Sequence, residues 1–217
     1  CSNKQLVYWP ERCLACGRCV TRCPQTKVHP DNLVKDGSSI SGVENCQLCG
    51  HCAEACPSEA LEMSGKEVSV EEVMSQLDKD ALFYDESGGG VTFSGGEPLM
   101  QPDFLTALLK ASKNKGWHTT LDTCGYASPE VVKGVAPLVD LILFDLKHMD
   151  DQRHQELTGV SNQLILNNLE WLVRAGKDLR IRVPVIPGIN DDPSHFHSLG
   201  QTLQKLKLTK VHLLPYH

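Results

Sequence analysis

Nine of the ten cysteines fall within the first 56 of 217 residues, and their spacing constrains the fold more than any other feature. One run reads Cys13-x2-Cys16-x2-Cys19-x3-Cys23-Pro24. The other reads Cys46-x2-Cys49-x2-Cys52-x3-Cys56-Pro57. A structural zinc site needs four ligands, usually in two pairs. Two runs of four, alike in internal spacing, exceed that need. A disulfide framework would suit a secreted chain, but nothing in these residues marks secretion. Ten cysteines in 217 residues also fall short of the roughly 8–10% of disulfide scaffolds.

The spacing is that of bacterial ferredoxins, which hold [4Fe–4S] clusters. Three closely spaced thiolates wrap three corners of one cube. The chain then turns away, and the fourth thiolate reaches the other cube. Cys13, Cys16, Cys19 and Cys56 are therefore expected around one cluster. Cys46, Cys49, Cys52 and Cys23 are expected around the other. Gly17 and Gly50 let each loop fold closely over sulfide, and Pro24 and Pro57 fix φ where the chain leaves. Residues 10–66 thus form an expected ferredoxin-like two-cluster domain, too short for a large apolar core and stapled by its clusters. It is an approximate internal repeat, with Gly37-Ser38-Ser39 between the halves.

Lys and Arg number 21 against 27 Asp and Glu, a formal charge of −6, and no basic run occurs. Such a chain is a poor binder of nucleic acid or anionic membrane. No apolar stretch approaches the ~20 residues of a membrane span. Thiol-rich loops imply a cytoplasmic, reducing, low-oxygen setting.

From about residue 67 the pattern alternates between strands and helices. Expected strands are 91–94, 118–122, 141–145, 180–186 and 211–214; expected helices are 69–83, 102–115, 129–136, 162–175 and 194–206. Ser69 with Glu72 and Ser128 before Pro129 are plausible helix caps. Such alternation predicts a parallel α/β sheet, with ligand groups beyond the carboxyl ends of its strands. Those ends carry Gly95-Gly96-Glu97-Pro98, Asp122-Thr123, Asp145-Leu146-Lys147, Arg182 and His217. Taken singly, Asp122 and Asp145 fit as turn caps and Lys147 as a solvated charge. Together the set describes a polar ligand cradle. Gly88-Gly89-Gly90 lacks the Gly-Lys-Ser/Thr of a phosphate loop. Cys124 reads as a small buried hydrophobe. His29, His51 and His118 read as structural or solvated, and Trp117, Trp171 and Leu164/166/169/172 as core.

The ordered set resembles the glycyl radical enzyme activating enzymes, a branch of the radical S-adenosylmethionine (SAM) superfamily. Cys1-Ser2-Asn3 is similar to the end of the family's C-x3-C-x2-C motif, and Lys4 stands where many relatives have Pro. The double ferredoxin insert follows directly. Gly95-Gly96-Glu97-Pro98, Asp122-Thr123, Asp145-Leu146-Lys147, Arg182–Gly188 and Leu213–His217 resemble the later motifs.

The resemblance implies a partial (β/α)6 radical SAM barrel over 67–217, with residues 1–9 as the end of the SAM-cluster loop. Of that loop's three cysteines the chain carries Cys1, so the first strand and two ligands are expected upstream. It implies three [4Fe–4S] clusters, one binding SAM and two auxiliary. One electron cleaves SAM to methionine and a 5′-deoxyadenosyl radical, which removes a Cα hydrogen from a glycine of a partner enzyme. Gly95, Gly96 and Glu97 are implied to hold the SAM amino group and Lys147 its carboxylate. Arg182 is implied at the same end of SAM and His217 near ribose or adenine. Asp122, Thr123 and Asp145 are implied at a monovalent cation site. The implied partners are a glycyl radical enzyme and flavodoxin or ferredoxin as electron donor. A radical SAM enzyme acting on another substrate, and a plain ferredoxin-type electron carrier, are the competing functions.

Overall fold

The computed structural model describes residues 4–25 and 46–216. Cys1, His217, His29 and Gly37-Ser38-Ser39 lie outside the described residues. The chain divides into two compact units, Cys1–Val68 and Ser69–His217.

In the first unit, β1 (Gln5–Tyr8) pairs antiparallel with β2 (Leu61–Ser64), Tyr8 opposite Leu61. The segment 5–8, expected to precede the cluster domain, is thus one of its strands. Two short helices lie between them in sequence, α1 (Arg18–Arg22) and α2 (His51–Glu54). Each starts directly after a left-handed glycine, Gly17 at φ 71° and Gly50 at φ 83°. The apolar core is small, Leu6, Tyr8, Cys52, Ala60 and Leu61, as expected of a unit that depends on its clusters. The Arg12 guanidinium lies 5.0 Å over the Trp9 ring and donates to Glu62 at 2.9 Å.

The second unit is a five-stranded parallel sheet of β3 (Gly90–Phe93), β4 (His118–Thr123), β5 (Leu141–Asp145), β6 (Asp178–Val185) and β7 (Val211–Pro215). The strands stand side by side in sequence order, with Phe93 opposite Leu121 and Asp145 opposite Arg182. Side chains alternate between faces along each strand. Val91, Phe93, Leu121, Ile142, Phe144, Ile181 and Val183 fall on one face and are all buried. They pack with apolar residues of α5 (Pro102–Asn114), α6 (Pro129–Val135), α8 (Gln163–Arg174) and α9 (Pro193–Leu206). The other face carries Thr92, Asp122, Asp145, Arg180, Arg182 and His212, none of them buried. The one-sided apolar pattern is what makes this sheet a wall with a polar side.

The expected helix 69–83 is two helices, α3 (Val70–Leu77) and α4 (Ala81–Ser87), separated by a 3-10 turn over Asp78–Asp80. Aspartate is a weak helix former, so two of them within three residues make this the place where the helix breaks. The Ser69–Glu72 capping box is present in full, and Ser128 accepts from the Val131 amide. A further helix, α7 (Asp151–Thr158), has no apolar stripe to announce it. It is held by the Asp150 cap on the Arg153 amide at 2.8 Å and by left-handed Gly159 after its last turn.

Gly125 follows β4 at φ +72°, and a Cβ there would meet the Phe144 ring at 2.4 Å. Gly125→Ala is expected to cost about 3 kcal/mol in chemical denaturation, combining left-handed strain with overpacking against a rigid ring. Gly116→Ala, at φ +78° in open space, is expected to cost only about 1 kcal/mol. Equal costs would show that the ring yields freely.

Candidate functional site

The two cysteine groups surround separate cavities. One, with about 360 Å³ of empty space partly open to solvent, is lined by Cys13, Cys16, Cys19 and Cys56. The other, with about 410 Å³, is lined by Cys23, Cys46, Cys49 and Cys52. These are the crossed groups that the spacing predicts: each fourth cysteine sits with the other run. Electrostatics repeats the grouping. Burial raises the Cys19 thiol, with Cys13 and Cys56 adding to the effect. Burial pushes the Cys52 thiol up to about 11, helped by Cys23 and Cys46. Burial also opposes ionisation at Cys56, but hydrogen bonds from Leu61, Ser58 and Ala60 outweigh it and lower that thiol.

The loop backbones fit the same role. Ala15 at φ 52° and Leu48 at φ 49° occupy equivalent places in the two repeats, each two residues before a left-handed glycine. A non-glycine residue there is strained. Alternating hands turn successive amides inward to form anion-binding concavities, as around iron–sulfur clusters. The Ala15 amide donates to Cys13 Sγ at 3.4 Å. Among the described residues, no three His, Cys, Asp or Glu side chains converge on one metal ion. Four thiols spread around a cavity suit a cube, whose charge would draw off their protons.

On the sheet, the carboxyl ends of neighbouring strands bring the other predicted residues together. Arg182 on β6 donates through Nε to Asp145 Oδ1 at 2.8 Å and through its terminal nitrogen to Asp122. Ser94 Oγ donates to the other Asp122 oxygen at 2.9 Å. Asp122 and Asp145 are therefore not turn caps. They are braced across three strands by one guanidinium, the planar fork suited to two carboxylates. Lys147, two residues past β5, is exposed and makes no ion pair among the described residues. Gly95 and Gly96, at φ +90° and +29°, form an exposed turn after β3.

Glu97 is held within the protein. Its Oε1 accepts from the Leu99 amide at 3.1 Å and Thr123 Oγ1 at 2.7 Å. Its Oε2 accepts from the Cys124 amide at 2.9 Å and Cys124 Sγ at 3.0 Å. The carboxylate ties the Gly95-Gly96 turn to the end of β4. Thr123, one residue on from Asp122, points to the opposite face by strand alternation, so its hydroxyl serves Glu97 rather than the Asp122–Asp145 pair. Cys124 is more than a small hydrophobe, because its thiol donates to Glu97. Burial first, then Glu97, push that thiol up to about 11. Glu97→Gln is expected to cost about 2 kcal/mol, because an amide NH2 would face the Cys124 N–H and S–H. Thermal unfolding and SAM titration check this. Cys124→Ala should cost under about 1 kcal/mol, and a wild-type Glu97→Gln would show the brace to be dispensable.

Sequence reasoning missed Asn190, which is 2% exposed. Its Nδ2 donates to the Lys147 and Pro184 carbonyls, both at 2.8 Å, and its Oδ1 accepts from the Ile186 amide at 2.7 Å. It pins the backbone of Lys147 to the end of β6. Asn168 likewise holds the Gly125 and Ala127 carbonyls at 2.8 and 2.9 Å. A polar residue inside an apolar helical stripe was the available signal for Asn168. His118 and His51 are exposed, as expected. Trp117, Leu169 and Leu172 are buried; Leu164, Leu166 and Trp171 are half-buried.

A parallel α/β sheet with a Gly-Gly-Glu turn, in one chain with a unit that has two cysteine-lined cavities, defines the radical SAM class with an added dicluster domain. A Radical SAM superfamily model matches residues 45–199, and a 4Fe-4S dicluster domain model matches residues 5–57. The choline trimethylamine-lyase activating enzyme of Oleidesulfovibrio alaskensis is 43% identical over 217 residues, covering 98% of this chain and 70% of the relative. The trans-4-hydroxy-L-proline dehydratase activating enzyme of Clostridioides difficile is 42% identical, over 99% and 71%. A crystal structure of a domain of pyruvate-formate lyase-activating enzyme from Bacteroides vulgatus shares 40% identity at TM-score 0.56, covering 59% of this chain and 81% of that one. Streptococcus suis SuiB, at 18% identity and TM-score 0.58 over 71% of this chain and 34% of its own, shows likeness of fold alone. The chain belongs to the glycyl radical enzyme activating enzymes of the radical SAM superfamily.

Proposed function

We propose that this chain binds SAM at the carboxyl ends of β3–β6, carries two auxiliary [4Fe–4S] clusters in the cysteine-lined cavities, and installs a glycyl radical on a partner enzyme. The arrangement that carries this reading is the row Gly95-Gly96, Asp122, Asp145, Lys147 and Arg182 on successive parallel strands. When bound, a SAM-ligating [4Fe–4S] cluster, with Cys1 as one of its ligands, would supply the single electron for reductive cleavage of SAM.

The protein's own residues position and shield. Gly95 and Gly96, lacking Cβ atoms, bring backbone within reach of the SAM amino group. Glu97 holds that turn in place rather than touching SAM. Lys147, free of an internal carboxylate among the described residues, offers its ammonium to the SAM carboxylate. Arg182 keeps Asp122 and Asp145 ordered beneath the methionine end. The strand order and the single polar face support a partial (β/α)6 wall around this site. No helix is long and apolar enough to cross a membrane among the described residues. We place the protein in a reducing, low-oxygen cytosol, with flavodoxin or ferredoxin as donor.

The test is anaerobic incubation of the full-length, cluster-reconstituted protein with SAM, dithionite and a candidate glycyl radical enzyme. Methionine, 5′-deoxyadenosine and a glycyl radical signal in the partner's EPR spectrum are expected. Redox cycling with no nucleoside released would leave an electron carrier instead.

A further inference from the structure

The two cysteine loops are alike in backbone but opposite in charge. Residues 10–24 carry three arginines and one glutamate; residues 46–59 carry two glutamates and neither lysine nor arginine. The difference falls at matched positions of the repeat. Arg18 and Arg22 of α1 stand where α2 and its cap have His51 and Ala55. Thr21 stands where Glu54 is, and Leu14 where Gln47 is. Arg18 and Arg22 are four apart and so share one face of α1. Both are exposed, and neither is ion-paired among the described residues. Arg12, by contrast, is engaged with Glu62 and Trp9. Leu14 is 70% exposed, and Cys16, which lines the first cavity, is exposed beside it in sequence.

On one loop only, exposed Leu14 and two arginines with no ion pair among the described residues thus lie on either side of exposed Cys16 in sequence. The chain as a whole is acidic at −6, so this positive face is not a bulk consequence of composition. We propose that the loop–helix segment 13–22 is the docking surface for a small acidic one-electron carrier protein, and that the second cluster loop is not. The proposal rests on the reading of this chain as an activating enzyme. At this surface the carrier is oxidised by one electron and the cluster held by Cys13, Cys16, Cys19 and Cys56 is reduced by one; no proton moves. Opposite charge steers encounter and fixes the docked orientation, and exposed Leu14 supplies apolar contact.

The experiment compares two double variants at matched positions of the repeat in the reconstituted full-length protein, Arg18→Glu/Arg22→Glu and His51→Glu/Ala55→Glu. The probe is a reduced acidic flavodoxin, with its Kd measured by anaerobic titration at several salt concentrations. Reversal at Arg18 and Arg22 is expected to weaken binding about tenfold or more and to flatten the salt dependence. The change at 51 and 55 is expected to alter Kd less than about twofold. Dithionite-driven 5′-deoxyadenosine release, measured in parallel, tests the reading beneath the proposal and is expected to hold in both variants. Equal weakening in both, or none in either, overturns the docking surface while leaving that reading intact. Loss of binding to the glycyl radical enzyme, with flavodoxin binding unchanged, also overturns it and gives the surface to the protein substrate.

Discussion

Arg182→Met is expected to weaken SAM binding and SAM cleavage together. The guanidinium is the only group bridging Asp122 and Asp145 among the described contacts, and all three side chains are less than a quarter exposed. Deleting it leaves two carboxylates on adjacent strands with no cation between them. Breaking a partly buried pair costs several kcal/mol at most, and residual exposure reduces the figure here to about 2–3 kcal/mol. In a domain of this size that lowers Tm by roughly 5–10 °C. The catalytic loss should be larger, about 100-fold in SAM cleavage, because repelling carboxylates would displace the methionine end of SAM by about an ångström. Arg182→Met combined with Asp145→Asn should recover part of the stability, a coupling that a double-mutant cycle measures. Wild-type Tm and SAM affinity in Arg182→Met would remove the brace from the proposed site.

The second expected result concerns which cysteines act together. Cys23→Ala and Cys52→Ala should abolish the same auxiliary cluster signal, although Cys23 belongs to the first run. Cys56→Ala and Cys19→Ala should abolish the other. Each single variant should lose one cluster's iron and sulfide, and low-temperature EPR of the dithionite-reduced protein should show which signal survives. Because cluster binding is folding free energy for so small a core, each variant should also make residues 4–68 markedly more open to proteolysis. If Cys23→Ala instead matched Cys13→Ala, the crossed grouping around the two cavities would be wrong. Pairing within each run would replace it.

Much of this was legible before any coordinates. The five strands of the parallel sheet follow from short apolar runs, and the structure moves their ends by only one or two residues, whereas the antiparallel pair Gln5–Tyr8 and Leu61–Ser64 was not expected. The Ser69 and Ser128 caps lie where their side chains announce them. The polar helix α7 was not legible, because periodicity is the signal for a helix and Asp151–Thr158 has none. The break at Asp78–Asp80 was equally hidden, since the apolar pattern continues through it while the local backbone does not.

Cysteine spacing by itself pointed to iron–sulfur chemistry and to the crossed grouping of the cysteines around the two cavities, because a cube's corners permit few short loops. The order of glycines, acids and lysine along the chain determined the family. Only the tertiary structure decided what each polar atom faces. Asp122 and Thr123 are neighbours in sequence, yet strand alternation sends one to Arg182 and the other to Glu97. Glu97 stands in the Gly-Gly-Glu-Pro motif, yet the end of β4 lies close enough to take both its oxygens. Spacing along a chain specifies which residues share a loop. Hydrogen-bond partners are set by what other strands bring alongside.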